Sequence, residues 1–81
     1  MDVTIKDIIS LVSLQLGKKN ILEEQLLVED LGAESADIAN IIATVEEKYH
    51  LFIDEEMIAK IRSVKDLYVA ILKQLSNQAD T

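Results

Sequence analysis

Residues 35–49, which read SADIANIIATVEEKY, carry the clearest structural signal in the chain. Large apolar side chains recur there every three or four residues, at Ile38, Ile41, Ile42, Val45 and Tyr49. This period places them on one face of an α-helix. The chain has no proline and two glycines, so β architectures rich in turns are poorly supported. We therefore predict an amphipathic helix that starts near Ser35 and buries this face.

The segment 5–16 has the same helical period. Its apolar positions are Ile5, Ile8, Ile9, Val12 and Leu16. Asp2 or Thr4 can cap the start of a helix here, and Gly17 suits the left-handed position that follows a helix end. We predict a first helix over these residues.

Two further helices are predicted in the C-terminal third of the chain. Asp54 can cap a short helix that holds Met57, Ile58 and Ile61. Ser63 and Asp66 have the spacing of a capping box at the start of a last helix. The buried face of that helix is predicted to be Val64, Leu67, Tyr68, Ile71 and Leu75.

Residues 17–34 have no long helical period and predict a long loop. We expect its apolar residues to anchor it to the core: Ile21, Leu22, Leu26, Leu27 and Leu31. Residues 78–81 are expected to form a frayed tail. Together these segments predict one all-α domain over residues 1–81, a small four-helix bundle with three longer helices and one short helix.

The charge of the chain is strongly acidic and unevenly distributed. The net charge is −7, and residues 23–56 hold eleven acidic residues and one base, Lys48, which leaves a net charge of −10 there. Nucleic acid and anionic membranes are therefore disfavoured as partners, because both require basic patches. A basic protein surface is the natural complement, although acidic residues also serve solubility alone. No stretch reaches membrane-spanning length and no signal peptide is recognised, so we expect a cytoplasmic monomer.

Catalysis and metal binding have little support in the residues. The chain has no cysteine, which excludes disulfides and thiolate metal sites. His50 is the one histidine, and fifteen residues of helix, roughly 22 Å, separate it from Ser35, so it cannot serve as base for a serine nucleophile. We interpret His50 as a polar helix-end residue. Residues 54–56 lack the glycine of a calcium loop, and an acidic face in water explains them better than a metal site.

Ser35 has two interpretations from the residues alone. As a helix N-cap it stabilises the helix by about 1 kcal/mol. As an exposed hydroxyl at a helix start, it is a candidate attachment point for a phosphate-linked group, since the amides and dipole of a helix N-terminus favour phosphate.

The surroundings of Ser35 resemble the acyl carrier protein family, and the resemblance covers nearly the whole chain. Its motifs, in order, are VEDLGA at 28–33, VEEKY at 45–49, IDEE at 53–56 and KIRSV at 60–64. The first is similar to the family's approach to its modified serine, and the second to the end of its second helix. The last two resemble its third helix and the start of its fourth.

The resemblance implies a carrier rather than an enzyme. Ser35 falls where the family attaches 4′-phosphopantetheine, which a phosphopantetheinyl transferase takes from coenzyme A. The terminal thiol would hold acyl intermediates as thioesters in fatty-acid, specialised lipid or polyketide biosynthesis. Acyl-loading and acyl-using enzymes with basic docking surfaces would contact the second helix. The candidate recognition residues are Glu34, Ala36, Asp37, Asn40, Ala43, Glu46 and Glu47.

Departures from the family pattern lie mainly on this contact face. The family usually has aspartate before the serine and leucine after it, where this chain has Glu34 and Ala36. Ala39 and Ala43 stand where larger apolar residues are frequent, Asn40 replaces an acid, and Asp54 replaces a proline. These differences suggest a specialised carrier with its own partners. A carrier of aminoacyl or peptidyl groups, and an unmodified acidic interaction module on the same fold, are the alternatives.

Overall fold

The computed structural model describes residues 2–79, which form a bundle of four α-helices. The helices are α1 (Ile5–Leu16), α2 (Ser35–Tyr49), α3 (Glu55–Lys60) and α4 (Val64–Ala79). Between residues 2 and 79 there is no β-strand, and one isolated bridge joins Leu26 to Ser63. The predicted all-α four-helix bundle, with three longer helices and one short helix, is confirmed.

The ends of α1 are set by the residues that the sequence indicates. Thr4 is the N-cap: its hydroxyl accepts the N–H of Asp7 at 3.2 Å, and Asp7 Oδ2 accepts the N–H of Thr4 at 3.0 Å. The bond to the Thr4 backbone also holds the pKa of Asp7 below its ordinary value. Gly17 follows the helix with φ of 66°, a left-handed conformation that glycine adopts without steric cost. Of the two predicted caps, the fold uses Thr4.

The starts of α3 and α4 also follow the predicted caps. Asp54 Oδ1 accepts the N–H of Met57 at 2.9 Å. At α4, Ser63 Oγ accepts the N–H of Asp66 at 3.0 Å, and Asp66 Oδ2 accepts the N–H groups of Ser63 and Arg62 at 3.1 and 3.0 Å. Each carboxylate or hydroxyl satisfies a backbone donor that a helix start leaves without a partner.

The end of α4 differs from the expectation of a tail that frays from residue 78. The helix continues to Ala79, so Gln78 and Ala79 are helical. Gln78 Nε2 donates a hydrogen bond of 2.9 Å to the carbonyl of His50, which ties the last turn to the end of α2. Asp80 and Thr81 lie outside the described residues.

The core is built from three helices and their connections. Its innermost side chains are Ile8, Val12, Leu27, Ile41, Val45, Ile53, Val64, Leu67 and Ile71. α1 packs against both α2 and α4. α3 contributes no fully buried residue, and its Met57 and Ile58 are half-buried against the outside of the core. α3 therefore packs on the outer surface of the core that the other three helices form.

The long connection before α2 is anchored as expected at all positions except one. Ile21, Leu27 and Leu31 are buried and Leu26 is half-buried, but Leu22 is 60% exposed. The prediction for Leu22 is wrong because this residue starts a tight turn. Its N–H donates to Gln25 Oε1 at 2.8 Å and its carbonyl accepts the Gln25 N–H at 3.1 Å, so its side chain points to water.

A comparison of Leu27 with Leu22 tests this anchoring. Leu27→Ala removes a buried side chain and leaves a cavity, so the free energy of unfolding should fall by roughly 2–5 kcal/mol. Leu22→Ala makes the same chemical change at an exposed site and should stay within about 0.5 kcal/mol of the parent chain. Urea denaturation of both variants gives the two values. Equal losses would contradict the assignment of Leu27 as the anchor.

The Asp66 cap predicts a pH dependence of stability. The hydrogen bond from the Ser63 backbone is the main cause that holds the pKa of Asp66 below its ordinary value of 3.8. A carboxyl whose folded pKa is depressed stabilises the fold above its unfolded pKa and loses that contribution as the pH falls through the folded pKa. The stability difference between the parent chain and Asp66→Asn should therefore be larger at pH 7 than at pH 3. Glu24→Gln removes an exposed carboxylate of the same charge and is the matched control; an identical pH dependence in both variants would contradict the role of the cap.

Candidate functional site

The approach to Ser35 is fixed by backbone hydrogen bonds. Gly32 has φ of 72°, and its N–H donates to the carbonyl of Val28 at 3.0 Å. The next residue, Ala33, is buried and donates its N–H to the carbonyl of Leu27 at 2.9 Å. The left-handed glycine turns the chain and Ala33 attaches it to the core. The start of α2 is thereby held in one place.

Ser35 is the first residue of α2 and not its N-cap. The N-cap is Glu34, in extended conformation with φ of −97° and ψ of 171°. Asp37 Oδ2 accepts the N–H of Glu34 at 2.9 Å. If Ser35 were the N-cap, a capping carboxylate would accept the N–H of Ser35 instead. Ser35 is exposed, and no group within residues 2–79 forms a hydrogen bond with its hydroxyl. The fold leaves this hydroxyl available to an external reactant.

The residues proposed for partner recognition lie together on α2 and at its start. Ala36, Asn40, Ala43 and Glu47 recur every three or four residues and are all exposed. Glu34 is exposed on the other side of Ser35 in the chain. These positions form a continuous surface of small and acidic side chains beside the hydroxyl.

Asp37 and Glu46 of the same set are half-buried because they also hold the backbone. Asp37 bonds the N–H of Glu34, and Glu46 Oε2 accepts the N–H of Ile53 at 2.9 Å. The second bond ties the connection after α2 back onto the helix. Their role in this surface is therefore partly structural, which the sequence pattern did not reveal.

A groove of about 340 Å³ runs from Ser35 along α2. Ile38, Ala39, Ile42 and Ala43 line it from α2, Ile58 lines it from α3, and Glu46 stands at the far end. Ser35 and Glu46 are eleven residues apart, which is about 16 Å along a helix. The small side chains of Ala39 and Ala43 leave the space open. The sequence signal for this groove is a pair of alanines four residues apart beside isoleucines, a pattern that the sequence alone also explains as part of the contact face.

The histidine and the acidic residues of the chain are distributed as follows around this hydroxyl. His50 lies where predicted, at the opposite end of α2, as its C-cap with φ of 54°. Within the described part of the chain, no three His, Cys, Asp or Glu residues cluster so that they could hold a metal ion. Among the described residues, none of the helices combines the length and the hydropathy that a membrane-spanning segment requires.

Comparisons with known proteins agree with this geometry. The acyl carrier protein of Buchnera aphidicola is 37% identical over 70 residues, which cover 84% of this chain and 90% of the relative. That of Syntrophobacter fumaroxidans is 35% identical over 68 residues, covering 82% and 84%. No family model matches the chain.

Solved structures support the same assignment. The crystal structure of the acyl carrier protein of Thermotoga maritima is similar with a TM-score of 0.76 at 33% identity, and the match covers 90% of this chain and 87% of that one. A Mycobacterium tuberculosis structure reaches a TM-score of 0.79 at 23% identity, which supports the fold alone. On the identity and coverage of these relatives, the chain belongs to the acyl carrier protein family.

Proposed function

We propose that this chain carries acyl groups as thioesters on 4′-phosphopantetheine attached to Ser35 Oγ. The observation that carries the proposal is the exposed Ser35 hydroxyl, which the fold does not use, at the first position of α2 in a member of this family. The chain has no cysteine, so a thiol for the thioester must come from an added group. No histidine lies at this end of α2, which fits a carrier rather than a catalyst.

The residues around Ser35 fit a phosphodiester. The first turn of a helix has backbone N–H groups without intrahelical acceptors, and these together with the helix dipole attract an anion. Glu34 and Asp37 oppose it through their negative charges. The Asp37 carboxylate accepts the backbone N–H of Glu34, and this hydrogen bond holds the negative charge of Asp37 at the N-cap. Bound at Ser35, phosphopantetheine supplies the thiol on which an acyl group is held.

The groove beside Ser35 supports acyl groups over aminoacyl or peptidyl groups as the cargo. Its walls are apolar between Ser35 and Glu46, and each methylene buried in such a space stabilises the bound state by about 0.8 kcal/mol. A polar aminoacyl group has little surface to bury there. The named relatives are also acyl carriers, so we infer an acyl cargo of fatty-acid or related lipid type.

The exposed acids of α2 support enzymes with basic surfaces as partners. Glu34 and Glu47 are fully available, while Asp37 and Glu46 present half-buried carboxylates that also hold the fold. Opposite charge on a transferase or acyl-using enzyme would raise the rate of association. Ala36 and Ala43 leave the helix surface shallow, so a partner would approach the backbone closely.

Attachment at Ser35 is tested by intact mass. Incubation of the chain with coenzyme A and a phosphopantetheinyl transferase of broad specificity should add the mass of one phosphopantetheine group. Ser35→Ala should remain unmodified, since the attachment oxygen is lost. Ser10→Ala, which removes an exposed hydroxyl from α1, should be modified like the parent chain.

Two outcomes would count against this proposal. An unmodified parent chain, alongside a working carrier as positive control, would favour the unmodified interaction module. Modification of Ser35→Ala would place the attachment at another residue. Ser35→Ala should remain folded, because Ser35 is not the N-cap of α2. Its free energy of unfolding should differ from that of the parent chain by no more than about 0.5 kcal/mol. Urea denaturation checks this value.

The groove predicts that an acyl chain stabilises the folded carrier. A group that binds only to the folded state, and not to the unfolded state, raises the melting temperature. The octanoyl form of the modified chain should therefore melt higher than the unacylated form. Ala39→Phe fills the groove and should abolish this difference, whereas Ala36→Phe adds the same bulk outside the groove and should retain it. An equal difference in both variants, measured by calorimetry, would contradict storage of the acyl chain in this groove.

A further inference from the structure

A second groove, of about 460 Å³, lies on the other side of α3, between α3 and α4. Its floor is apolar and is formed by Met57 and Ile61 from the α3 side and by Val69 and Ala70 of α4. Ala70 is buried, and Val69 is 38% exposed although it is a large apolar residue. Ser35 does not line this groove, so the attachment site and its acyl groove are separate from it.

Three lysines surround this floor: Lys60, Lys65 and Lys73. They are three of the eight basic residues in a chain whose net charge is −7. All three are exposed, and within residues 2–79 no carboxylate lies within 4.0 Å of their ammonium groups, since the ion pair there joins Arg62 to Glu29. Three cations therefore gather at one apolar groove of an otherwise acidic molecule, and none of them forms an ion pair within residues 2–79.

The other polar side chains of the groove already have partners. Asp66 Oδ2 accepts two backbone N–H groups at the start of α4. Gln74 Nε2 donates to the carbonyl of Phe52, and Asn77 Nδ2 donates to Gln74 Oε1 at 3.1 Å. Neither the carboxylate nor the amide donors therefore need a ligand. The lysines are the groups that an occupant would engage.

The groove is long and has a positive end. It extends along α4 from Lys65 to Asn77, twelve residues or about 18 Å. Lys60 ends α3 and Lys65 lies in the first turn of α4, so these two residues are at the same end of the groove, whereas Lys73 lies about 12 Å further along α4. The apolar floor continues from there towards Asn77. An occupant that matches this arrangement has an anionic head and one hydrocarbon tail.

We propose that the α3–α4 groove binds a single-chain amphipathic anion of the long-chain carboxylate class. The carboxylate lies between Lys60 and Lys65, and the tail lies along Val69 and Ala70. The volume falls within the range of about 300–1,000 Å³ that is typical of small-molecule sites. Binding here does not depend on modification of Ser35, so it goes beyond the carrier function.

A protein occupant fits this groove less well. A stable interface buries about 800 Å² on each partner, so a protein occupant would need contacts well beyond this groove. A second copy of the chain would also bring another net charge of −7 towards the first. Charge and size therefore favour the small anion.

The test uses the 81-residue chain with Ser35→Ala, which lacks the proposed attachment oxygen, and dodecanoate below its micellar concentration. Titration of the ¹⁵N-labelled protein should shift the amide signals of Ile61, Val69 and Ala70. The double variant Lys60→Gln/Lys65→Gln should weaken binding about tenfold, equivalent to about 1.4 kcal/mol. Dodecanol, which has the tail without the charge, should bind more weakly by a similar factor.

The matched control is Lys18→Gln/Lys19→Gln, which removes two exposed lysines outside the groove and should bind dodecanoate like the parent chain. Equal losses in both double variants would show a general charge effect and overturn the proposal. Shifts confined to Ala39, Ala43 and Ile58 would place the ligand in the acyl groove and also overturn it. Shifts at the α3–α4 groove that depend on protein concentration without dodecanoate would identify a second copy as the occupant. The modification of the parent chain at Ser35 is unaffected by any of these results.

Discussion

The position of Ser35 depends on the way Leu27 joins distant parts of the chain. Its N–H donates to the carbonyl of Arg62 at 2.8 Å, in the turn between α3 and α4, and its carbonyl accepts the N–H of Ala33 at 2.9 Å. Its side chain is buried in the core. One residue therefore connects the start of α4 to the segment that leads into α2. Two neighbouring bonds, from Val64 to Gln25 and from Lys65 to Glu23, reinforce the same attachment. Without these bonds a loop of this length would leave the Ser35 hydroxyl without a fixed place, because a free loop has many conformations to lose.

Much of the fold follows from local patterns that the sequence displays directly. The apolar period of α2 and the caps at Thr4, Asp54 and Ser63 predict the helices and most of their starts, because each is decided by residues within four positions of one another. The same local patterns do not decide which residue is the N-cap of α2. Ser35 and Glu34 can each stand at the N-cap, and the choice is settled by Asp37, whose carboxylate meets the N–H of Glu34.

The features that the sequence did not predict depend on contacts between distant segments. Leu22 has the same side chain as Leu27 and lies in the same loop, yet the turn closed by Gln25 directs it to water. Gln78 is held by a carbonyl twenty-eight residues earlier in the chain. Both grooves are spaces between helices, and a periodic pattern on one helix does not give their size. For the candidate site, the serine and its acidic neighbours could be found from the motif, whereas the apolar groove beside them required the position of Ile58 on α3.

The short helix α3 separates the two grooves and forms a wall of each. Ile58 faces the groove that begins at Ser35, while its neighbour Met57 and the following Ile61 face the groove with the lysines. None of the residues of α3 is fully buried, and its start is held by the Asp54 cap and by the bond from Ile53 to Glu46. A short helix with few buried side chains belongs to the less stable parts of a fold. Because the same six-residue element borders both spaces, the position in which the Asp54 cap and the Ile53–Glu46 bond hold α3 sets the width of both grooves.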